Sequence, residues 1–473
     1  MKNTKLVQLL ATLSLEELRT FEKSFANSNS KAFPLLQKLL KCYPDFDASK
    51  VQKAKLFRAA FGAKALDENY LRKATNQIFQ ALKQFLIDSA VQEDAFLKER
   101  LFLEELRKRD LGHLYQLAAQ KTAKAIAQSP FQDSQYYLQQ YELAQANDAF
   151  STQQQARQYN AALQDQSDFL DLFFLTKKLQ LSCKMLNSAR IIAGDYDTGL
   201  MESLLSILQS NPSYTQHLPI QIYLEIYGTL KPGESEAHFQ NLAQLLAQRA
   251  HQFQITEAAE MYRYAQNYCI RQVNQGNKRF LRALLDLFKH QLNNGLLMPN
   301  GVLAADDFKN IIMVGLQLDE QKWVYEFMQT HKSKLAESDR ENVYNYNLGL
   351  YYYGTKDYDN AIQLLNTVKF TDAYYEINSK IILLKTYFHQ EDYFPFYYLI
   401  DSFKLSLKRN KKVATSYRTS ITNFLIQFKK IAKLKEQSRF ASAQVIAQKQ
   451  ASISSRIQQL DNLFDKSWLL RQL

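Results

Sequence analysis

Glycine, proline and cysteine are all scarce in this chain of 473 residues, at 12, 8 and 3. Ordinary usage is roughly 7% glycine and 5% proline. Few turns with special backbone angles fit such a composition, so long helices with short connections are implied. Cys42, Cys183 and Cys269 are odd in number, far apart and without a C-x-x-C pair. That excludes a disulfide framework and predicts three free thiols in a reducing compartment. Long apolar runs are missing too. A run such as YFPFYYLI (393–400) falls far short of the about 18–20 residues that cross a bilayer. In the opening stretch, MKNTKLVQLLATLSLEELRTF, Gln8 interrupts the leucine cluster and an acidic helix start follows. With no small-residue cleavage pattern, no signal peptide is expected, and a cytoplasmic location is.

Recognisable chemistry is absent as well. Of seven histidines no two stand at i, i+4, and none sits in H-E-x-x-H, so a helix-borne zinc site has no support. There is no G-x-G-x-x-G, no G-x₄-G-K-[ST] and no G-x-S-x-G. The acid pairs Glu16/Glu17, Glu104/Glu105 and Asp306/Asp307 lie near helix starts or surfaces, where a carboxylate complements the helix dipole or is solvated. No catalytic residue, cofactor or metal is expected, and the chain is read as no enzyme.

What is present is hydrophobic residue at 46%, which excludes wholesale disorder, and a formal net charge of +12. The charge is local. Residues 404–439 hold eleven basic side chains and one acid, Glu436, a net +10 that leaves +2 for the rest. A local cause is therefore required.

Apolar positions follow the helical period throughout, and no alternating strand pattern of useful length occurs. Ser14 and Glu17 have capping-box spacing, ahead of Leu15, Leu18, Phe21 and Phe25 on one face. Gly62 reads as a C-terminal cap. Asp67 opens a helix carrying Leu71, Thr75, Ile78, Leu82 and Phe85. A glutamine-rich tract at 132–166 admits a prion-like reading, but interleaved Tyr136, Tyr137, Leu138, Tyr141 and Leu143 favour a solvated helix face. Breaks are expected at 193–199, 210–213, 229–235, 274–278 and 293–301. The domain scheme is an N-terminal helical domain (1–90), degenerate helical pairs (91–309), clearer repeats (310–407) and basic amphipathic helices (408–473).

The stretch NLGLYYYGTKDYDNA (347–361) reads as a helix, a tight turn and a second helix. Leu348, Gly349 and Tyr352 have the L-G-x₂-Y spacing of the tetratricopeptide repeat, with Ala361 and Leu365 at its A-x₃-F positions. Asn345 replaces its tryptophan and Ala373 its proline. Small Gly349 and Ala361 let two antiparallel helices approach, and Asp357 or Asp359 caps the second. A further unit follows at an offset of 35, with Leu384 and Phe396 replacing the glycine and alanine. The segment 320–331 looks like the second helix of a degenerate unit. The clearest unit, 345–378, thus resembles a tetratricopeptide repeat, and the layout is similar to uncharacterised long bacterial tetratricopeptide-like proteins. The resemblance implies an all-α fold, an α-α superhelix of antiparallel pairs with an N-terminal helical domain and a basic C-terminal cap. It also implies a non-enzymatic protein-interaction scaffold. Asn345, Asn347, Tyr351 and Lys380 are the candidate partner-binding residues, chosen by helical phase. Most of Tyr344, Tyr346, Tyr351, Tyr352, Tyr353 and Tyr358 are expected to pack between helices.

Two further surfaces are expected. In the basic segment, Val413, Tyr417, Ile421, Phe424, Leu425, Phe428 and Ile431 form one stripe at about 100° per residue, suited to docking on the end of the repeats. Lys411, Lys412, Arg418, Lys429, Lys430 and Lys433 lie opposite. That face is either solubilising or a docking site for an acidic protein, nucleic acid or anionic lipid, with Lys429, Lys430 and Lys433 as the candidates. The alternative function is a nucleic-acid-linked regulator, with 50–86 as a helix-turn-helix-like unit bearing Lys50, Lys53, Lys55, Arg58, Lys64, Arg72, Lys73 and Lys83 against Asp67 and Glu68. The first expected outcome is a far-UV circular dichroism spectrum with at least about two-thirds helix, as a helical period throughout requires; substantial sheet would contradict it.

Overall fold

A computed structural model describes residues 1–62, 65–154, 159–191, 196–231, 233, 236–368, 373–409, 413–438 and 440–473. Lys64, Lys411, Lys412 and Arg439 lie outside the described residues, as do parts of the glutamine-rich tract and of the breaks at 193–199 and 229–235. Among the described residues there are 23 α-helices and no strand. No described helix is long and apolar enough to cross a membrane. The chain forms two compact units, one of residues 1–129 with 134–174, the other of residues 130–133 with 175–473.

The first unit holds α1 (Lys5–Leu10), α2 (Leu15–Asn27), α3 (Phe33–Leu40), α4 (Lys53–Phe61), α5 (Glu68–Glu93), α6 (Ala95–Lys108), α7 (Gly112–Ala127), α8 (Ser134–Gln153) and the start of α9 (Ala161–Ile191). Local chemistry sets its helix ends. The Glu17 amide donates to Ser14 Oγ at 3.2 Å, and the Ser14 amide to Glu17 Oε2 at 2.7 Å. These bonds from Ser14 hold the Glu17 carboxyl below its ordinary value. Gly62 takes a left-handed φ of 65° and its amide closes on Arg58 O, while Asp67 accepts from the Tyr70 amide at 2.9 Å. Helices α1 to α5 share one core that includes Leu10, Phe21, Leu35, Phe57, Ile78 and Leu82. Two positions on the expected faces fall elsewhere. Leu15 is 57% exposed, because it sits in the first turn of α2, before the helix reaches the core. Thr75 is only half-buried, and neighbouring Ala74 takes the core place.

The second unit continues from α9 through α10 (Met201–Ser210), α11 (Leu218–Leu230), α12 (Glu236–Arg249), α13 (Ile255–Asn274), α14 (Phe280–Asn293), α15 (Ala305–Gln317), α16 (Gln321–His331), α17 (Arg340–Gly354), α18 (Tyr358–Thr367), α19 (Ala373–His389), α20 (Tyr393–Arg409), α21 (Thr415–Gln437), α22 (Ala443–Gln459) and α23 (Lys466–Arg471). From α11 onward each helix packs on the next, and α11 also meets α13, α15 meets α17, and α17 meets α19. This sequential packing of adjacent helices is consistent with helical repeats. Helices end at the breaks read from the sequence: α9 at Ile191, α10 at Ser210, α11 at Leu230, α13 at Asn274 and α14 at Asn293. Val413, Ile421, Phe424, Leu425, Phe428 and Ile431 are all buried in the last core, as their stripe requires. Residues 460–473 add Trp468 and Leu469 to that core.

Close approach within the pairs occurs at three glycines: Gly228 of α11, where a Cβ would stand 2.3 Å from the His238 ring of α12, Gly315 and Gly349. A Cβ at Gly349 would stand 2.7 Å from Leu365 Cγ, and one at Gly315 would stand 2.4 Å from Val324 Cγ2. Gly315 precedes Gly349 by 34 residues. Val324 is fully buried and, being β-branched, has little rotamer freedom. Leu365 has a longer side chain to move. The expected order of cost follows. Gly315→Ala lowers stability by about 1–3 kcal/mol through overpacking. Gly349→Ala comes out nearer zero, since alanine's helix preference of about 1 kcal/mol offsets a smaller clash, while Gly349→Leu again costs about 1–3 kcal/mol. Denaturation midpoints test the order, and equal values for the two alanine variants would break it.

Candidate interaction surfaces

The tyrosines around Gly349 are consumed mainly by packing. Tyr344 is buried, accepts from Gln329 Nε2 at 2.7 Å and lies under the Lys332 ammonium. Tyr346 is buried with its ring edge against Tyr375, 5.1 Å between centroids. Tyr351 is half-buried between Tyr325 of α16 and Tyr352. Tyr353 and Tyr358 both pack on the His389 ring, Tyr358 stacking at 5.7 Å and 7°. Asp357, not Asp359, caps α18 by accepting from the Asn360 amide.

The residues chosen by helical phase scatter. Asn345 and Tyr351 are half-buried. Asn347 is not on a surface: it is fully buried and its Nδ2 donates to Val343 O at 2.8 Å. It shares its face of α17 with Gly354, whose backbone lies against the end of the Leu316 side chain of α15, where a Cβ would stand 2.9 Å from Cδ1. Lys380 turns back to Glu376 Oε1 at 2.5 Å and lies over the Phe403 ring. Helices α15 and α19, which both pack on α17, are bridged by Tyr375, whose OH is 3.5 Å from Asp306 Oδ1 and whose ring lies under Lys309. Phase counting missed this bridge because it joins residues 69 positions apart in sequence.

The basic helix divides. Lys429 is held by Asp401 of α20, Nζ 2.6 and 2.8 Å from the two oxygens. Lys430 and Lys433 are exposed and have no ion-pair partner among the described residues. Partial burial, with a smaller contribution from nearby Lys429, holds Lys404 below the ordinary lysine value. In the first unit, Lys55, Arg58, Arg72, Lys73 and Lys83 are exposed, whereas Lys53 pairs with Glu68 at 3.3 Å and Lys50 with Asp47 at 4.0 Å. Helices α4 and α5 are not a separate two-helix unit: α4 packs on α3, and α5 on α1, α2 and α3.

Two polar constellations escaped the sequence reading. Tyr223 OH donates to Glu257 Oε1 at 2.7 Å, Gln180 Nε2 donates to both, and Lys177 donates to Gln180 Oε1. Burial raises the Glu257 carboxyl above its ordinary value despite the bond from Tyr223. These groups satisfy one another and staple α9, α11 and α13 together. The second is Lys385, buried, with Nζ 2.5 Å from Asp465 Oδ2 and 4.4 Å from the Trp468 ring centroid. Beside it, burial lowers the His389 imidazole first, followed by the charges of Lys435, Lys385 and Lys356. Cys42, Cys183 and Cys269 are free thiols, and burial pushes Cys269 up to about 12.

No family model, curated protein or solved structure matches this chain.

The His389 shift has a defined sign. A histidine lowered below 6.5 by folding binds fewer protons folded than unfolded. Its stabilising contribution is full above 6.5 and is lost as pH falls through the folded value. His389→Gln should therefore reduce the acid-side fall in stability between about pH 7.5 and 5. Urea denaturation of both proteins at the two pH values measures it, and parallel falls would refute the assignment.

Proposed function

We propose that the chain is a non-enzymatic interaction scaffold whose second unit is built from tetratricopeptide-like helix pairs. The observation that carries this reading is the recurrence of a glycine at the tight helix-pair contact after 34 residues, at Gly315 and Gly349. That interval is the length of the tetratricopeptide unit. Leu384 follows Gly349 after 35 residues, fully buried in the α19–α20 pair, where a wider contact replaces the glycine. Stacked pairs of this kind present an extended surface from their first helices. Here the candidate part of it is the cluster of half-buried Tyr375 and Lys309 with exposed Asp306, which joins α15 and α19. An aromatic ring flanked by one acid and one lysine suits an extended peptide, with the ring as anchor and the charges setting register.

Affinity capture from the native cell tests the reading, with the parent chain compared with the Tyr375→Ala/Lys309→Ala variant. The expected result is a protein partner recovered by the parent and lost, by on the order of tenfold or more, from a variant of unchanged helicity; truncating one good anchor costs about 2 kcal/mol or more. Recovery of the same proteins by both would place the partner surface elsewhere, and recovery of none would count against a scaffold.

A further inference from the structure

The outward face of α20 carries apolar side chains that the fold does not use. Its inward face, Phe396, Ile400, Phe403 and Leu407, is buried. On the opposite side stand Phe394 at 86% exposure, Tyr398 at 76% and Leu405 at 59%. At about 100° per residue these three fall within a narrow stripe, and they span about 16 Å along the helix. Singly exposed apolar residues are ordinary, but three on one ridge call for a cause.

The surroundings of that ridge are cationic. Tyr397 OH reaches Glu436 at 2.9 Å and Lys429 reaches Asp401, so α20 and α21 run antiparallel side by side. This places exposed Lys430 and Lys433 level with Tyr398, while Lys404 and exposed Lys408 flank Leu405. The only acids on the two helices are Asp401, neutralised by Lys429, and Glu436; Glu391, paired with Lys435, and exposed Asp392 lie just before Phe394, at the end of the ridge away from the lysines around Leu405. Exposed Ile426 continues the apolar character onto α21.

We propose that this ridge docks the chain onto a membrane surface rich in anionic lipid, with Phe394, Tyr398 and Leu405 entering the headgroup–acyl boundary and the lysines contacting lipid phosphates and carboxylates. Three features select this occupant. The apolar groups protrude instead of lining a groove, so a rigid protein partner would need matching cavities, whereas a bilayer boundary deforms around them. Only Phe394 and Tyr398 offer rings for stacking on bases, whereas Leu405 and Ile426 extend the apolar surface without one, which an acyl boundary uses and a base-stacking platform does not. An amphipathic helix face with aromatic and aliphatic residues beside lysines is the composition that partitions into an anionic interface.

The experiment is co-sedimentation of the full chain with vesicles of phosphatidylcholine alone and of phosphatidylcholine with phosphatidylserine, at low and moderate salt. Two variants accompany the parent: Phe394→Ser/Tyr398→Ser/Leu405→Ser, and Lys404→Gln/Lys408→Gln/Lys430→Gln/Lys433→Gln, each checked for unchanged helicity. The parent should bind the anionic vesicles and bind neutral ones about tenfold or more weakly. Each lysine removed should lower partitioning by about fivefold at low salt, and the apolar triple variant by about tenfold. A Tyr398→Trp variant should show blue-shifted emission with anionic vesicles. Failure to sediment with anionic vesicles at low salt overturns the proposal, as does equal binding to neutral ones. Retention on heparin or single-stranded RNA that is lost with the lysines but indifferent to the apolar triple, without vesicle binding, would assign the ridge to a soluble polyanion. The Tyr375→Ala/Lys309→Ala variant should sediment like the parent, so failure here and failure of the scaffold reading are separable.

Discussion

The close approach of paired helices is the constraint on which the second unit depends. Each helix from α11 onward is amphipathic only in part, and its apolar side is satisfied by the neighbours before and after it. Where Gly315 meets Val324 and Gly349 meets Leu365, the backbones come near enough that a Cβ would force the facing side chain to shift. The separation of those axes then decides which residues reach across to the next pair. It puts Tyr346 against Tyr375 and Tyr351 against Tyr325. In the α19–α20 pair Leu384 and Phe396 are both fully buried, and Phe396 packs in an aromatic cluster with Phe388 and Phe428.

A stack of pairs leaves an apolar edge at its end, and that edge must be covered. Here the covering segment is held by a buried ion pair as well as by apolar contact. Lys385 sits in the middle of an apolar run, IILLKTYF, and its charge would be costly without Asp465. Asp465 adopts a left-handed φ of 43°, a conformation aspartate tolerates better than most residues, which turns α23 so that Trp468 lies over the Lys385 ammonium. Such a pair adds little net stability compared with apolar residues of the same shape, but losing one partner is expensive, so it favours one seating of the segment.

Features governed by neighbours in sequence were legible. The Ser14–Glu17 box, the Gly62 cap, the helix breaks and the buried stripe from Val413 to Ile431 each depend on contacts within a few residues or on period alone. Leu15 shows the limit of period: it has the right phase and lies too early in α2. Features made by distant partners were not legible. Glu257 lies 34 residues from Tyr223 and 77 from Gln180, and Lys385 lies 80 from Asp465. Asn347 was placed on a surface because its polarity fits one, while it is buried with its Nδ2 bonded to Val343 O within its own helix and its Oδ1 left without a partner among the described residues. The spacing of Gly315 and Gly349 was available in the sequence, and a search at the 34-residue interval would have found the earlier pair.

The core of α1 to α5 and the second unit use different means to fix their interiors. Between residues 1 and 90 every buried described side chain is apolar, so packing volume and pattern specify that core, and volume-conserving exchanges should be tolerated there. The second unit buries Thr229, Gln266, Gln291, Lys385 and Thr386 among its apolar residues. Thr229 and Thr386 return their hydroxyls to carbonyls within their own helices, at 2.7 and 2.8 Å, and so cost little without linking anything. Gln266 with Gln291, and Tyr223 with Glu257 and Gln180, instead join different helices. A helical stack with a repeating apolar pattern has many near-equivalent registers. Each cross-helix polar pair is satisfied in only one of them, because a slip of one turn leaves a buried donor or acceptor without a partner at a cost of about 1–3 kcal/mol. The polar groups lie in the stack of helix pairs, and the all-apolar core lies where five helices of very unequal length, from 6 to 26 residues, already exclude a slip.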